Sequence, residues 1–224
     1  MLPCGRFQMM KKILPIYLRR FIRQIIKSIR YWWRQILIKR AVKKNKTLKI
    51  ILGAAETSQQ GWYSTNEQWL DIAKSDDWGK IFNKRYIVKN MVAEHVLEHL
   101  NSEDVQSALR NIHKHLIENG RLRIAVPDGY NPSEEYIEHV KVGGCGDDAE
   151  DHKQLFNRDS ISKLLKEAGF EQVLIIEGYD AEGKLTVKEW GEQNGYIRRS
   201  RQNLEEHNWS FPDACTSLIV DAIK

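Results

Sequence analysis

The sequence predicts an α/β domain with a mostly parallel sheet covered by helices, preceded by a basic amphipathic helix. Three observations predict it. Strand and helix signals alternate from residue 48 to residue 224. Residues 1–49 carry 15 Lys and Arg and no Asp or Glu, whereas the rest holds 20 basic against 30 acidic residues. Within the basic segment, apolar residues recur every three or four positions. The chain therefore divides into a basic helical arm and linker, residues 1–46, and an α/β domain, residues 47–224.

In the arm, Leu18, Phe21, Ile22, Ile25, Ile26, Ile29, Trp32, Trp33 and Ile36 form one helical stripe. Arg19, Arg20, Arg23, Lys27, Arg30 and Arg34 occupy the other positions. The spacing predicts a helix over Ile16–Arg40, and Lys39–Lys46 reads as a solvated linker. A basic polar face opposite an aromatic apolar face suits an anionic membrane interface, with residues 16–40 as the contact. Packing on the domain or on another copy is the plainer alternative, and nucleic acid the weaker one, since the acidic body gives it no support. Arg19, Arg20 and Arg23 interrupt any secretory h-region. Met9 and Met10 offer alternative starts, which would make Cys4 irrelevant.

The domain opens with a buried strand, Leu48–Leu52, ended by Gly53. Tyr86–Ala93 is the next strand. Asn101–Asp104 supplies helix-capping chemistry, and Val105, Leu109, Ile112 and Leu116 follow at helical spacing, with Asn119-Gly120 as the expected stop. Arg121–Val126 is a strand ended by Pro127-Asp128-Gly129. Asp159 is the expected cap of a helix carrying Ile161, Leu164, Leu165 and Ala168 and closed by Gly169. Glu171–Ile176, Lys184–Trp190 and Thr216–Ile223 complete the strands.

Composition narrows the class. At 42% apolar and 29% charged residues the 224-residue chain is globular. Cys4, Cys145 and Cys215 are too few and too scattered for a disulfide framework or a CxxC metal site, which points to a reducing, cytoplasmic setting. No apolar run approaches the ~20 residues of a spanning helix. The expected localisation is cytoplasmic, peripheral on the cytoplasmic membrane face if the arm binds lipid. Nothing in the pattern fixes an oligomeric state.

Ligands of such sheets sit at the carboxyl ends of the strands. Here those ends are Gly53–Gln60, Glu94–His99 and Asp128–Tyr130, all rich in small and polar residues. Around them run Val96-Leu97-Glu98-His99-Leu100, then Leu116–Ile124 (LIENGRLRI), Arg123–Gly129 (RIAVPDG), Asp151-His152-Lys153, Lys166–Phe170 (KEAGF), Ile197–Ser200 (IRRS) and Thr216–Ala222 (TSLIVDA). These pieces resemble the class I S-adenosylmethionine-dependent methyltransferases, and in particular a subgroup with EHVLEH and AVPDG motifs. The resemblance covers residues 48–224 and implies a Rossmann-like sheet with S-adenosylmethionine as cofactor. It points to Gly53, Ala54, Ala55, Asp71, Asp77, Glu94 and His95 for the cofactor, and the chemistry of methyl transfer makes His152, Asp128 and His99 the candidates for catalysis. Glu67 is a second candidate for the ribose hydroxyls and Asp76 for the adenine side.

Two departures stand out. The family's first loop is usually of the type G-x-G-x-G, and here only Gly53 of Gly53-Ala54-Ala55-Glu56-Thr57 is retained. The stretch from Gly53 to Arg85 is short for the two strands and two helices the family fits there.

His95-x-x-Glu98-His99 also reads as the H-x-x-E-H of inverted zinc metallopeptidases, which requires both histidines on one helix face. It also resembles the Glu-x-x-Glu-His cluster with which some O-methyltransferases hold a divalent metal, His95 replacing the first acid. The strand context favours loop-shaping hydrogen bonds instead, and no metal is assigned. His152 is the expected general base, Asp128 orders the acceptor, and Gly143–Asp148 has the composition of a lid or a plain surface loop. Cys145 has no assignable acid–base partner. The expected reaction is methyl transfer to an oxygen or nitrogen of a small-molecule, glycan or lipid-linked acceptor. The alternative is a methyltransferase-like scaffold that binds without transferring.

Overall fold

The computed structural model describes residues 16–55, 57–83, 85–146, 149–206 and 217–224. Cys4, Met9, Met10, Glu56, Asp147, Asp148, Cys215 and Thr216 lie outside them. The arm is a 28-residue helix, α1, Ile16–Lys43. The domain then runs β1 (Leu48–Leu52), β2 (Tyr63–Ser64), α2 (Ser75–Phe82), β3 (Val88–Glu94), α3 (Ser102–His115), β4 (Leu116–Val126), α4 (Glu134–Val140), α5 (Arg158–Glu167), β5 (Gln172–Tyr179), β6 (Leu185–Val187) and β7 (Leu218–Ile223).

The seven strands form one sheet in the order β2-β1-β3-β4-β7-β5-β6. The pairs β2–β1, β1–β3 and β3–β4 are parallel, with Leu52 opposite Ala93 and Ala93 opposite Ile124. β7 runs antiparallel between β4 and β5, and β6 is antiparallel to β5 at the edge. This is the mostly parallel, Rossmann-like sheet the alternating pattern calls for.

The two faces of the sheet are covered differently. On one, Ile50, Leu52, Met91, Ala93, Leu122, Ile124 and Val220 meet α1, α2, α3 and α5 through Ile38, Val42, Trp78, Phe82, Leu109 and Leu165. On the other, Ile51, Val92, Ala125 and Ile219 are covered by Trp190 and Ile197 of an irregular strap. Arg123, on β4, pins that strap. Its guanidinium grips Asp221 of β7 through Nε–Oδ1 at 2.7 Å and Nη2–Oδ2 at 2.8 Å, donates to the Gly195 carbonyl at 2.7 Å, and lies 4.9 Å from the Trp190 ring centre.

Several boundaries differ from the sequence pattern. Residues 39–43 continue α1 rather than forming a linker, because Ala41 and Val42 are buried in the core. α3 stops at His115, before Asn119-Gly120. Asn119, at φ +58°, instead sits in an irregularity of β4, where pairing jumps from Val88–Leu116 to Asn90–Arg121. The cap of α5 is Asn157, which shares a capping box with Ser160 while Asp159 occupies the first turn. Lys184–Trp190 contributes only the three-residue β6. The Gly143–Gly146 segment closes α4: the amides of Cys145 and Gly146 donate to the Glu138 and His139 carbonyls.

Candidate active site

The loop after β1 turns back sharply. Gly53 has φ +56°, and a Cβ there would lie 2.7 Å from Val96 Cγ2, so only glycine fits against the segment after β3. Ala55 also takes a left-handed conformation, φ +43°. Bonds on both sides fix this backbone. The Ala54 amide donates to the Thr65 carbonyl at 2.9 Å, and the Thr65 amide and hydroxyl both donate to the Ile51 carbonyl. From α1, Arg34 donates to the Ala55 carbonyl at 3.0 Å and the Thr57 carbonyl at 3.4 Å. The arm thus touches the loop that shapes the site.

At the end of β3, His95 holds φ +52°. Its amide donates to Ala125, its Nδ1 stands 2.9 Å from Glu98 Oε1, and its Nε2 lies 2.9 Å from Ser217 Oγ. Both ring nitrogens are engaged within the fold. Leu97–His99 is a single 3-10 turn. The helix that an H-x-x-E-H zinc site requires is absent here, and His95 and His99 share no helix face.

Glu98 is fully buried. Burial pushes its carboxyl up, but the neighbouring His95 ring, with help from its own backbone and His99, outweighs this and holds it below the usual carboxylate range.

Two clefts meet at the loop. One, of about 380 Å³, is lined by Gly53, Ala55, Asn66, Glu67, Leu70, Asp71, Ile72, His95, Val96, His99 and Lys153 among others. The other, of about 350 Å³, adds Thr57, Gln59, Glu94, Tyr196, Arg198 and Arg199. Gly53, Ala55 and His95 line both. Each volume is within the range of ligand pockets. A larger hollow of about 520 Å³, lined by Ser75, Tyr86 and His115 among others, lies at the opposite end of the strands. Position favours the paired clefts, since ligands of parallel sheets bind at the carboxyl ends.

Gly53, Ala54, Ala55, Asp71, Glu94, His95 and His99, all expected from sequence, therefore line one or both clefts. Three expected residues sit elsewhere. Asp77 accepts from the Asp71 amide and Lys80, which fixes the turn into α2; that contact with Lys80, offset by partial burial, keeps its carboxyl low. Asp128 is buried, with Oδ1 accepting from the Tyr130 amide at 3.0 Å and Oδ2 from the Tyr179 amide at 2.8 Å. Burial raises its carboxyl against the pull of those amides, and both oxygens serve to join the ends of β4 and β5. His152 is buried behind His99, ring centres 5.0 Å apart, rather than in the cleft wall.

Sequence reading missed Asn66, Leu70 and Ile72 because β2 is two residues long, too short for any period to appear. It also missed Arg34, whose place on the basic face carries no signal of a loop contact.

The residues present fit a nucleoside joined to an amino acid. Backbone approaches closely at Gly53 and Ala55, Glu67 and Asp71 offer carboxylates to hydroxyls, and Leu70 and Ile72 offer an apolar wall. A family profile described as a methyltransferase domain matches residues 43–175, more than half of the chain. No curated protein matches the sequence. Among solved structures, the chain is similar to a SAM-dependent methyltransferase from Archaeoglobus fulgidus, with 14% identity, coverage of 85% of this chain and 94% of that one, and a TM-score of 0.46. It is also similar to a SAM-dependent methyltransferase from Thermotoga maritima, with 10% identity, coverage of 91% and 98%, and a TM-score of 0.45.

Proposed function

Because the chain belongs to the methyltransferase-domain family, with S-adenosylmethionine as its cofactor, we propose that it methylates an oxygen or nitrogen of a glycan or lipid-linked acceptor held at an anionic membrane surface. Bound S-adenosylmethionine supplies an electrophilic methyl group. The residues that would hold it are Gly53 and Ala55 through their backbone, Glu67 and Asp71 through their carboxylates, and Leu70 and Ile72 through apolar contact. The second cleft, with Glu94, Tyr196 and Arg199 in its wall, is the place for the acceptor. It shares His95 with the first, so the two ligands would meet at the end of β3. His99 lines the first cleft and not the second, and His152 is buried behind it, so neither ring touches the place assigned to the acceptor.

The observation that carries the membrane part is the uncovered face of α1. Phe21, Ile25, Ile29, Trp32, Trp33 and Leu37 are 43–59% exposed. The helix they lie on carries Arg and Lys and no acid. A contiguous apolar patch of this kind marks an interaction surface, and the accompanying cations match anionic lipid, each worth on the order of 1 kcal/mol near such a surface. No helix among the described residues is long and apolar enough to cross a membrane, so the contact would lie in the interface.

The test is transfer of labelled methyl from S-adenosylmethionine in the presence of anionic vesicles carrying lipid-linked glycan, or of the free glycan alone. Label in the vesicle-bound acceptor is expected. Label in the free glycan alone, at an equal rate with and without vesicles, contradicts the surface reading. Cofactor binding without any transfer favours the scaffold alternative.

A further inference from the structure

Loop shaping leaves part of the turn after β3 unused. Buried carboxylates ordinarily have their oxygens satisfied. Glu98 is fully buried, yet neither oxygen has a hydrogen bond of good geometry among the described residues. Oε1 is close to His95 Nδ1 as an ion-pair contact, and Oε2 has no hydrogen-bond partner of good geometry among the described residues. An orphaned carboxylate oxygen in a dry site is costly unless something meets it.

His99 and His152 stand beside it, their rings edge to face. One ligand atom from each of Glu98, His99 and His152 lies within 4.8 Å of the other two. His152 Nδ1 is 2.8 Å from the Val140 carbonyl oxygen. A carbonyl only accepts, so Nδ1 carries the proton and Nε2 keeps its lone pair. A backbone carbonyl orients metal-ligating imidazoles in the same way. The backbone also holds the two segments together: the Lys153 and Gln154 amides donate to the Glu98 carbonyl at 2.8 and 3.3 Å, and Gln154 Nε2 donates to the Leu100 carbonyl at 2.7 Å.

We propose that Glu98, His99 and His152 bind one divalent transition cation, zinc in the simplest case. Two imidazoles and one carboxylate suit zinc and its neighbours, whereas magnesium and calcium favour oxygen donors. Three protein ligands leave coordination positions open, as catalytic zinc sites do. His99 lines the first cleft, which brings the site to the wall of that cleft. This is a different set from the sequence motif: His95, with both nitrogens engaged, is replaced by His152, 53 positions along the chain from His99. A hydroxyl or water that reached the cation from that cleft would lose its proton more readily. That consequence rests on the methyl-transfer reading, while the site itself does not.

The test uses the full chain, stripped with a chelator and titrated with zinc chloride by calorimetry and with cobalt(II) by visible absorption. One equivalent per chain and a cobalt ligand-field band are expected. His99→Ala and His152→Ala should each weaken zinc by at least about 100-fold, the upper end of what loss of an outer-shell partner costs. His113→Ala, on α3 against Phe170, should leave it unchanged. Glu98→Gln keeps the side-chain shape and should also weaken zinc, with the thermal midpoint reporting its folding. Failure of the stripped wild-type chain to bind one equivalent overturns the proposal, and so does undiminished binding in the His99→Ala/His152→Ala chain. Binding of S-adenosylhomocysteine by the same metal-free sample leaves the methyltransferase reading standing in either case.

Discussion

At the scale of single residues, the buried polar groups of this fold act mainly as joints. Arg123 and Asp221 tie β4, β7 and the strap together, and Asp128 joins the ends of β4 and β5. His115 is a joint of another kind. It stacks on Trp78 at 4.6 Å between ring centres and lies against Phe82 and Tyr86, with Nδ1 2.7 Å from the Asn111 carbonyl. Burial holds its pKa below the ordinary histidine value despite that carbonyl, and burial does the same for His113. For a base whose folded pKa is depressed, the unfolded chain binds more protons between the two values, so stability rises with pH across that window. Denaturant melts should therefore show stability lost as pH falls from about 6.5, the unfolded value, toward the depressed folded values. The slope should flatten in His113→Gln/His115→Gln. A slope unchanged in that variant would assign the acid sensitivity to other groups.

At the scale of elements, α1 joins two environments. Its last turns are core, through Ile38, Ala41 and Val42, while Ile29, Trp32 and Trp33 are about half exposed. Replacing those three by serine, with every Arg and Lys kept, removes on the order of 3 kcal/mol of apolar burial at a membrane. Cosedimentation with anionic vesicles should fall roughly 100-fold, while the thermal midpoint stays put. Binding unchanged by the substitution would contradict the interfacial role and leave charge alone to explain it. The helix was legible because a 3.6-residue period over 28 residues leaves little room for another structure. Its docked end was not, because alanine and valine among lysines read the same whether packed or solvated. β1, β3, α3 and α5 were legible from their apolar runs, and the start of α3 from its Asn101 cap. β2 and α2 were not, being two and eight residues long without a run that stands clear of the surrounding polar sequence.

At the scale of the whole molecule, a basic helix projects from an acidic α/β domain whose helices cover one face of the sheet and whose strap covers the other. The alternation of strands and helices made the sheet legible, and with it the strand ends that gather the site. The covering of the second face was not legible, because residues 188–203 have neither helical nor strand period and their place depends on Arg123, far away in sequence. The cleft lining was legible where a loop follows a buried strand, as at Gly53 and His95. It was misread where a polar residue beside the site turns out to be a fold joint, as with Asp128. The central claim is that Gly53–Ala55, with one glycine where the family commonly has three, still builds a cofactor loop. Calorimetric titration of S-adenosylhomocysteine into the full chain tests it most directly. One saturable site per chain is expected, weakened roughly tenfold or more in a folded Gly53→Val chain, where a left-handed backbone and contact with Val96 oppose the side chain. No saturable binding to the folded wild-type chain, or equal affinity in the variant, would contradict the claim.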